Sequence, residues 1–217
     1  MLGGFILNGA VTMLFHPAGE EDNHEAIFVE YAESESWEWV HLGQFVGVLL
    51  VLAGLLLLCP VLRPRAPKLA LLAAGLTVAT AAGWAVLQAV DGVALKQTVD
   101  AWIDATGPDK AMRFADAETV RWTEWGVQSY VRVLFGSTML LFGSAILVAR
   151  PLAGWVGWAA VLAGILSIAV GVDVSHGGLD SGFQQIATPA FQLVILAFAI
   201  GVVVAASRGR TRDPVAS

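Results

Sequence analysis

Three of the four histidines follow an acid by three residues, as Glu21-His24, Glu38-His41 and Asp173-His176. On a helix that spacing sets carboxylate and imidazole on one face, the arrangement from which helix bundles build carboxylate-histidine metal centres. His16, Glu38, His41, Asp173 and His176 are therefore the candidate metal ligands, with His16, His41 and His176 as nitrogen donors. The flanking segments are so rich in acids that composition alone accounts for two of the three matches. His16 and His41, at the end of one apolar run and the start of the next, are also the pair to hold a heme; His16-Pro17 reads equally well as a helix end.

A second set of residues suits the binding of a polar ligand. Thr77, Thr80, Trp84, Gln88 and Asp91 recur at helical spacing, as do Arg121, Glu124, Gln128 and Arg132. Each stripe lies within or beside an apolar run, where buried polar groups are expensive and need a reason. His41, Gln44, Asp173 and Gln192 add polar groups on other runs. His41, Gln44, Gln88, Asp91, Glu124, Gln128 and Arg132 are the candidate ligand-binding set, lining one polar cavity. Arg132, seven residues past Trp125, sits about 10 Å into its run at 1.5 Å per residue. Unpaired at that depth it costs roughly 2.5–3.5 kcal/mol. Snorkelling offsets the cost in one reading. In the other, pairing with Asp91 or Glu124 either clamps helices or helps hold an anionic headgroup or carboxylate.

The elements that must position these residues are long apolar runs. Five extend roughly over Trp39 to Leu62, Lys68 to Val90, Trp125 to Ala149, Trp155 to Val172 and Thr188 to Ala206, and a shorter one over Met1 to Phe15. Each of the five approaches the ~20 residues that cross a bilayer. A hydrophobic content of 57%, a charged content of 14% and a mean hydropathy of +0.71 exclude an ordinary soluble domain. The expected fold is an all-α polytopic bundle of about six transmembrane helices, one domain over residues 1–207 with a basic tail at 208–217.

Charge sets the expected orientation, because basic residues in short loops stay on the cytoplasmic side. Arg63, Arg65, Lys68, Arg150, Arg208, Arg210 and Arg212 occupy alternate connections, while seventeen of the eighteen acids lie in the others. Both termini are then cytoplasmic in a bacterial inner membrane. Met1 opens directly into apolar sequence, so either the first helix is short or the start lies upstream; a cleaved signal peptide over Met1 to Ala18 is a rival reading without the usual basic flank. Asn23 caps a short helix on the outer surface, Ser36 caps the next, and Trp37, Trp39, Trp122 and Trp125 mark the headgroup depth. Lys96 to Trp122 reads as two helices extended beyond the outer face and joined at Gly107-Pro108. Gly47 and Gly54 match Gly136 and Gly143 in a weak parallel repeat, or serve as helix contacts.

One cysteine, Cys59, precludes an intramolecular disulfide and a cysteine metal cage. No nucleophile elbow, phosphate-binding glycine loop or paired-histidine motif is present. The basic tail is too sparse for a lipid-reading cluster.

The segments FVEYAES, WEWVHLGQF, LQAVDGVALK and VRWTEWGVQSYVRVLFG resemble a group of bacterial, actinobacterial-type multi-pass integral membrane proteins of unknown function. The resemblance spans nearly the whole chain and implies a small multi-pass membrane protein; it carries over no catalytic residue. Members have a longer first helix with basic flanks, where this chain departs.

The leading expectation is a non-enzymatic membrane protein whose outward polar cavity binds or passes a small polar or amphipathic ligand. The runner-up is a metal- or heme-binding membrane enzyme or redox protein using the outer histidines and acids. A third is an accessory subunit docking in a membrane complex. The expected partners are the lipid bilayer, a small-molecule ligand and a second copy or a complex subunit, with no nucleic acid.

Overall fold

The computed structural model describes residues 1–17 and 19–210, with no side chain described at 209 and 210. Arg212 and most of the basic tail lie outside the described residues. Of the described residues 86% are helical, and no strand occurs among them. The helices are α1 (Leu2–Phe15), α2 (His24–Glu33), α3 (Trp37–Leu56), α4 (Cys59–Leu62), α5 (Pro67–Ala89), α6 (Lys96–Asp104), α7 (Pro108–Ala149), α8 (Gly154–Gly177) and α9 (Gly182–Arg210). A π-helical segment, Val90–Leu95, joins α5 to α6 without a break.

Five helical stretches are long and apolar enough to cross a membrane: Trp37–Leu62, Pro67–Asp104, Pro108–Ala149, Gly154–Gly177 and Gly182–Arg208. They match the five apolar runs. At 14 residues, α1 rises only about 21 Å, short of the ~30 Å hydrocarbon core. Proline at the first position starts α5 and α7, where its missing N–H costs no helical bond. Gly107 supplies the φ of +62° that turns α6 into α7, at the expected dipeptide. Arg150, at φ +53°, takes the left-handed C-cap of α7, and its N–H donates to the Ile146 carbonyl at 2.8 Å before Pro151 ends the helix.

Neighbouring helices follow the order α1, α3, α5, α7, α8, α9, and α9 returns to touch α1. The tightest pair is α7 with α8. A Cβ on Gly136 would lie 2.6 Å from the Gly164 carbonyl oxygen, so the two backbones are in contact as in small-residue membrane interfaces. Ser129 Oγ donates to Gly171 O at 2.7 Å and Ser167 Oγ to Arg132 O at 2.8 Å across the same seam. Gly47 and Gly54 meet α1 and its N-cap, earlier in the chain, whereas Gly136 and Gly143 meet α8, later in it. The glycines are helix contacts, and their opposite neighbours do not correspond as repeat equivalents would.

Two cores form. One, near the Arg63 and Arg150 end, packs Leu55, Leu62, Ala73, Phe142, Ile146 and Phe198. The other, at the acid-rich end, packs Ile27, Phe28, Tyr31, Trp37, Leu95 and Trp102. That second core corrects two expectations. The apolar face of helix α2 meets protein rather than lipid, because Ile27 and Phe28 are fully buried against α6 and α7. Trp37 is 1% exposed and belongs to this core; Trp39, 74% exposed, keeps the character of an interface anchor. Asn23 caps α2 as expected, its side chain accepting from Ala26 N–H, but Ser36 reaches back to the Phe15 carbonyl instead of capping α3.

Candidate functional site

The acid-rich end of the bundle holds an ionic network assembled from five elements. Arg121, on α7, is buried and donates from Nη1 to Glu124 Oε2 at 2.8 Å and from Nη2 to Glu21 Oε2 at 2.5 Å. Nη2 also reaches the Glu21 carbonyl at 3.1 Å. The same Glu21 oxygen accepts from the Tyr31 hydroxyl. The guanidinium lies over the rings of Tyr31 and Trp125, 5.7 and 5.6 Å from their centroids. Burial holds the Tyr31 phenol well above its ordinary pKa; Arg121 opposes that rise and Glu21 reinforces it.

Beside this cluster, His41 on α3 faces Asp91 at the start of the π-helical segment. His41 Nδ1 lies 2.8 Å from the Trp37 carbonyl oxygen, which only accepts, so Nδ1 carries a proton. Nε2 lies 3.2 Å from Asp91 Oδ2, and that contact requires one further proton shared by the pair. A wide π turn is a frequent mark of functional positions, and this one presents Gly92 directly against His41, with an added Cβ 2.7 Å from His41 Cβ. Asp91 also exerts its charge on Arg121, Glu124 and Tyr31, which joins the two halves into one network. Three carboxylates, Glu21, Glu124 and Asp91, thus face one guanidinium and one imidazole.

The connection between α1 and α2 straps this end. Asp22 accepts from the Leu179 N–H at 2.8 Å and the Asp180 N–H at 3.3 Å, while Glu21 is tied to α7. Lys96 fastens the end of α2, donating to the Ala32 carbonyl at 3.0 Å and to Asp100 at 2.7 Å.

Below the strap, the α5 and α7 stripes carry polar groups with no partner. Thr80 Oγ1 and Thr138 Oγ1 meet at 3.1 Å, and Gly83 faces Val131 and Leu134. This antiparallel register sets Trp84 level with Arg132 and Gln88 level with Gln128. Trp84 Nε1, Gln88 Oε1 and Arg132 Nε are all enclosed without a hydrogen-bond partner, and Arg132 forms no ion pair among the described residues. Buried polar atoms are nearly always partnered, so three on adjacent turns mark a place built for something more than packing. Arg121 Nε, Trp125 Nε1 and His24 Nε2 are likewise unpartnered in the network above.

The candidate residues thus divide. His41, Asp91 and Glu124 join the upper network, and Gln88, Gln128 and Arg132 share the levels beneath. The expected Arg132 pair with Asp91 or Glu124 does not form, because His41 holds Asp91 and Arg121 holds Glu124. Gln44 turns away to α1, donating to Thr12 Oγ1 at 3.0 Å, and Gln192 is exposed.

The acid-histidine pairs separate in the same way. Glu21 serves Arg121, while His24 Nδ1 meets Glu118 at 3.1 Å. Glu38 is exposed beside a buried His41. Asp173 accepts from Ser181, and His176 bonds the Val172 carbonyl and Ser175. Both line a shallow groove of about 490 Å³ with Val172 and Phe183. His16 lies 5.5 Å from His41 between ring centroids, yet its Nδ1 bonds Pro17 O and both nitrogens of His41 are engaged, so a metal or heme at His41 would have to displace Asp91 or the Trp37 carbonyl. No three His, Cys, Asp or Glu side chains converge as metal ligands among the described residues.

Glu21, Tyr31, Trp37 and Trp84 were not in the candidate set. The link of Tyr31 and Glu21 to Arg121 left no local signal, because Arg121 lies 100 residues beyond Glu21. Arg121 stands three residues before Glu124 in the sequence, but its other partners, Glu21 and Tyr31, come from elements far away along the chain. Comparison of the chain with family models, with curated proteins and with solved structures finds no match.

Proposed function

We propose that the chain crosses a bacterial inner membrane six times, α1 making a short sixth crossing packed along α3, with both termini cytoplasmic, and that its outward-facing half binds or passes a small polar or amphipathic ligand. The supporting observation is the set of unpartnered, enclosed atoms Trp84 Nε1, Gln88 Oε1 and Arg132 Nε, at neighbouring levels of α5 and α7. Leaving each unmet costs about 1–3 kcal/mol, and a ligand or the water it displaces would recover that. The paired network of Arg121, Glu21, Glu124, His41 and Asp91 lies between these atoms and the acid-rich surface, in the position of a cover. In this reading Arg132 contacts the ligand, Gln88 and Gln128 orient it, and Asp91 and Glu124 control entry.

The test uses Gln88→Cys in a Cys59→Ala background, treated in intact spheroplasts with a membrane-impermeant thiol reagent. The expected result is modification from the outer side, faster when Asp22→Ala releases the strap. An unmodified Cys at position 88 in both forms means a dry, closed interior and removes this reading.

A further inference from the structure

We infer that the ligand group held at the level of Trp84 and Arg132 is an acid, a carboxylate or phosphate with at least two acceptor oxygens, and that Gln88 selects for a hydroxyl beside it. This rests on the binding reading above and names its ligand class. Three observations carry it.

The unpartnered groups are two donors and one acceptor: Arg132 Nε–H, Trp84 Nε1–H and Gln88 Oε1. N–H donors are satisfied only by acceptor atoms, so a cationic amine is excluded as the principal contact, and a neutral hydroxyl, though it can accept from both donors, brings no charge to meet the guanidinium. Secondly, Arg132 carries a charge with no bonded counterion among the described residues, in the middle of a helix that is long and apolar enough to span a membrane. Its nearest acid in charge terms is Glu124, and that carboxylate is committed to Arg121 at 2.8 Å. A guanidinium is satisfied best by the paired oxygens of a carboxylate or phosphate. Thirdly, the Arg132 backbone is fixed: its carbonyl accepts from Ser167 Oγ, and its Cβ lies where a Cβ on Gly171 would be only 2.9 Å away. The side chain is anchored at its root by α8 and keeps its donors unspent, as a preorganised anion contact requires.

The acid can belong to a lipid headgroup or to a free solute. An apolar groove of about 390 Å³ on α5 and α7, lined by Gly83, Val86, Gly126, Tyr130 and Leu134, lies at the same levels and would take an acyl chain, although Trp84, Gln88 and Arg132 do not line it.

The full-length protein, purified in a neutral detergent, is titrated with inorganic phosphate, sodium octanoate and phosphatidylglycerol, and in parallel with octyltrimethylammonium and octyl glucoside. Thermal unfolding and Trp fluorescence are the readouts. The expected result is binding of the anions only, weakened about tenfold or more in Arg132→Gln, since a charged hydrogen bond is lost. Trp84→Phe keeps the ring packing while removing one N–H, and is expected to weaken binding about fivefold; it serves if Arg132→Gln does not fold. Response to phosphate or octanoate assigns a free acid, and response to phosphatidylglycerol alone assigns a lipid. Equal binding of anions by wild type and Trp84→Phe, or absence of any anion response, overturns the inference. Arg132-dependent binding of the cationic or neutral amphiphile overturns the acid class but leaves the binding reading standing, which the labelling of position 88 decides separately.

Discussion

Arg121 holds Glu124 with one terminal nitrogen and Glu21 with the other, and Tyr31 and Trp125 flank it. Removing it strands two carboxylates in an enclosed site, and breaking a buried pair from one side costs about 3–5 kcal/mol. Arg121→Ala is therefore expected to lower the unfolding temperature sharply in detergent, whereas Glu124→Gln, which retains an acceptor for Nη1, lowers it much less. Equal losses would mean that the charges do not act together. The sequence displayed half of this cluster. Arg121 and Glu124 stand three apart on one helix, and Asp91 and His41 both end apolar runs, so their shared depth was legible. Their partners were not, because Glu21 and Tyr31 reach Arg121 through a connection whose path no local pattern specifies. The same gap produced the error over Arg132: the acids expected to pair with it had nearer partners on other elements.

The elements themselves were read closely from their periods. Alternation of apolar runs with charged connections located all five long helices, and Gly107-Pro108 located the turn between α6 and α7. The π-helical segment had no such signal; it sets Asp91 against His41, a contact between elements 50 residues apart, while α5 continues into α6. Helix α2 was found with its cap, but its apolar face reads alike whether it meets lipid or protein, and only the packing of Trp37 and Trp102 decides that. Close approach of α7 and α8 yields a direct test. Gly136→Ala places a methyl 2.6 Å from the Gly164 carbonyl and is expected to cost about 1–3 kcal/mol by thermal unfolding. Gly75→Ala, in the middle of α5 with nothing within 4 Å, is expected to be neutral or to gain about 0.5–1 kcal/mol. Similar behaviour of the two would show that the α7–α8 seam is looser than drawn.

For the whole molecule, the two ends of the bundle differ in kind. The Arg63 and Arg150 end is closed by an aliphatic and aromatic core alone, while the acid-rich end adds ion pairs and a strap to a core of its own. Polar groups left unmet lie on α5 and α7, one level below the ion pairs. Such a gradient, with buried ion pairs at one end only, suits a molecule that receives something from a single face. Composition and charge alternation made the gradient visible in outline; the unmet atoms depend on rotamers and register that no single stretch of sequence encodes. The central claim is that the level of Trp84, Gln88 and Arg132 holds a ligand. Its most direct measurement is native mass spectrometry of the wild-type protein and of Arg132→Ala, each extracted gently from membranes of the producing cells. A single defined adduct on the wild type, lost from a folded Arg132→Ala, is the expected result; bare protein mass in both, or the same adduct on both, contradicts the account.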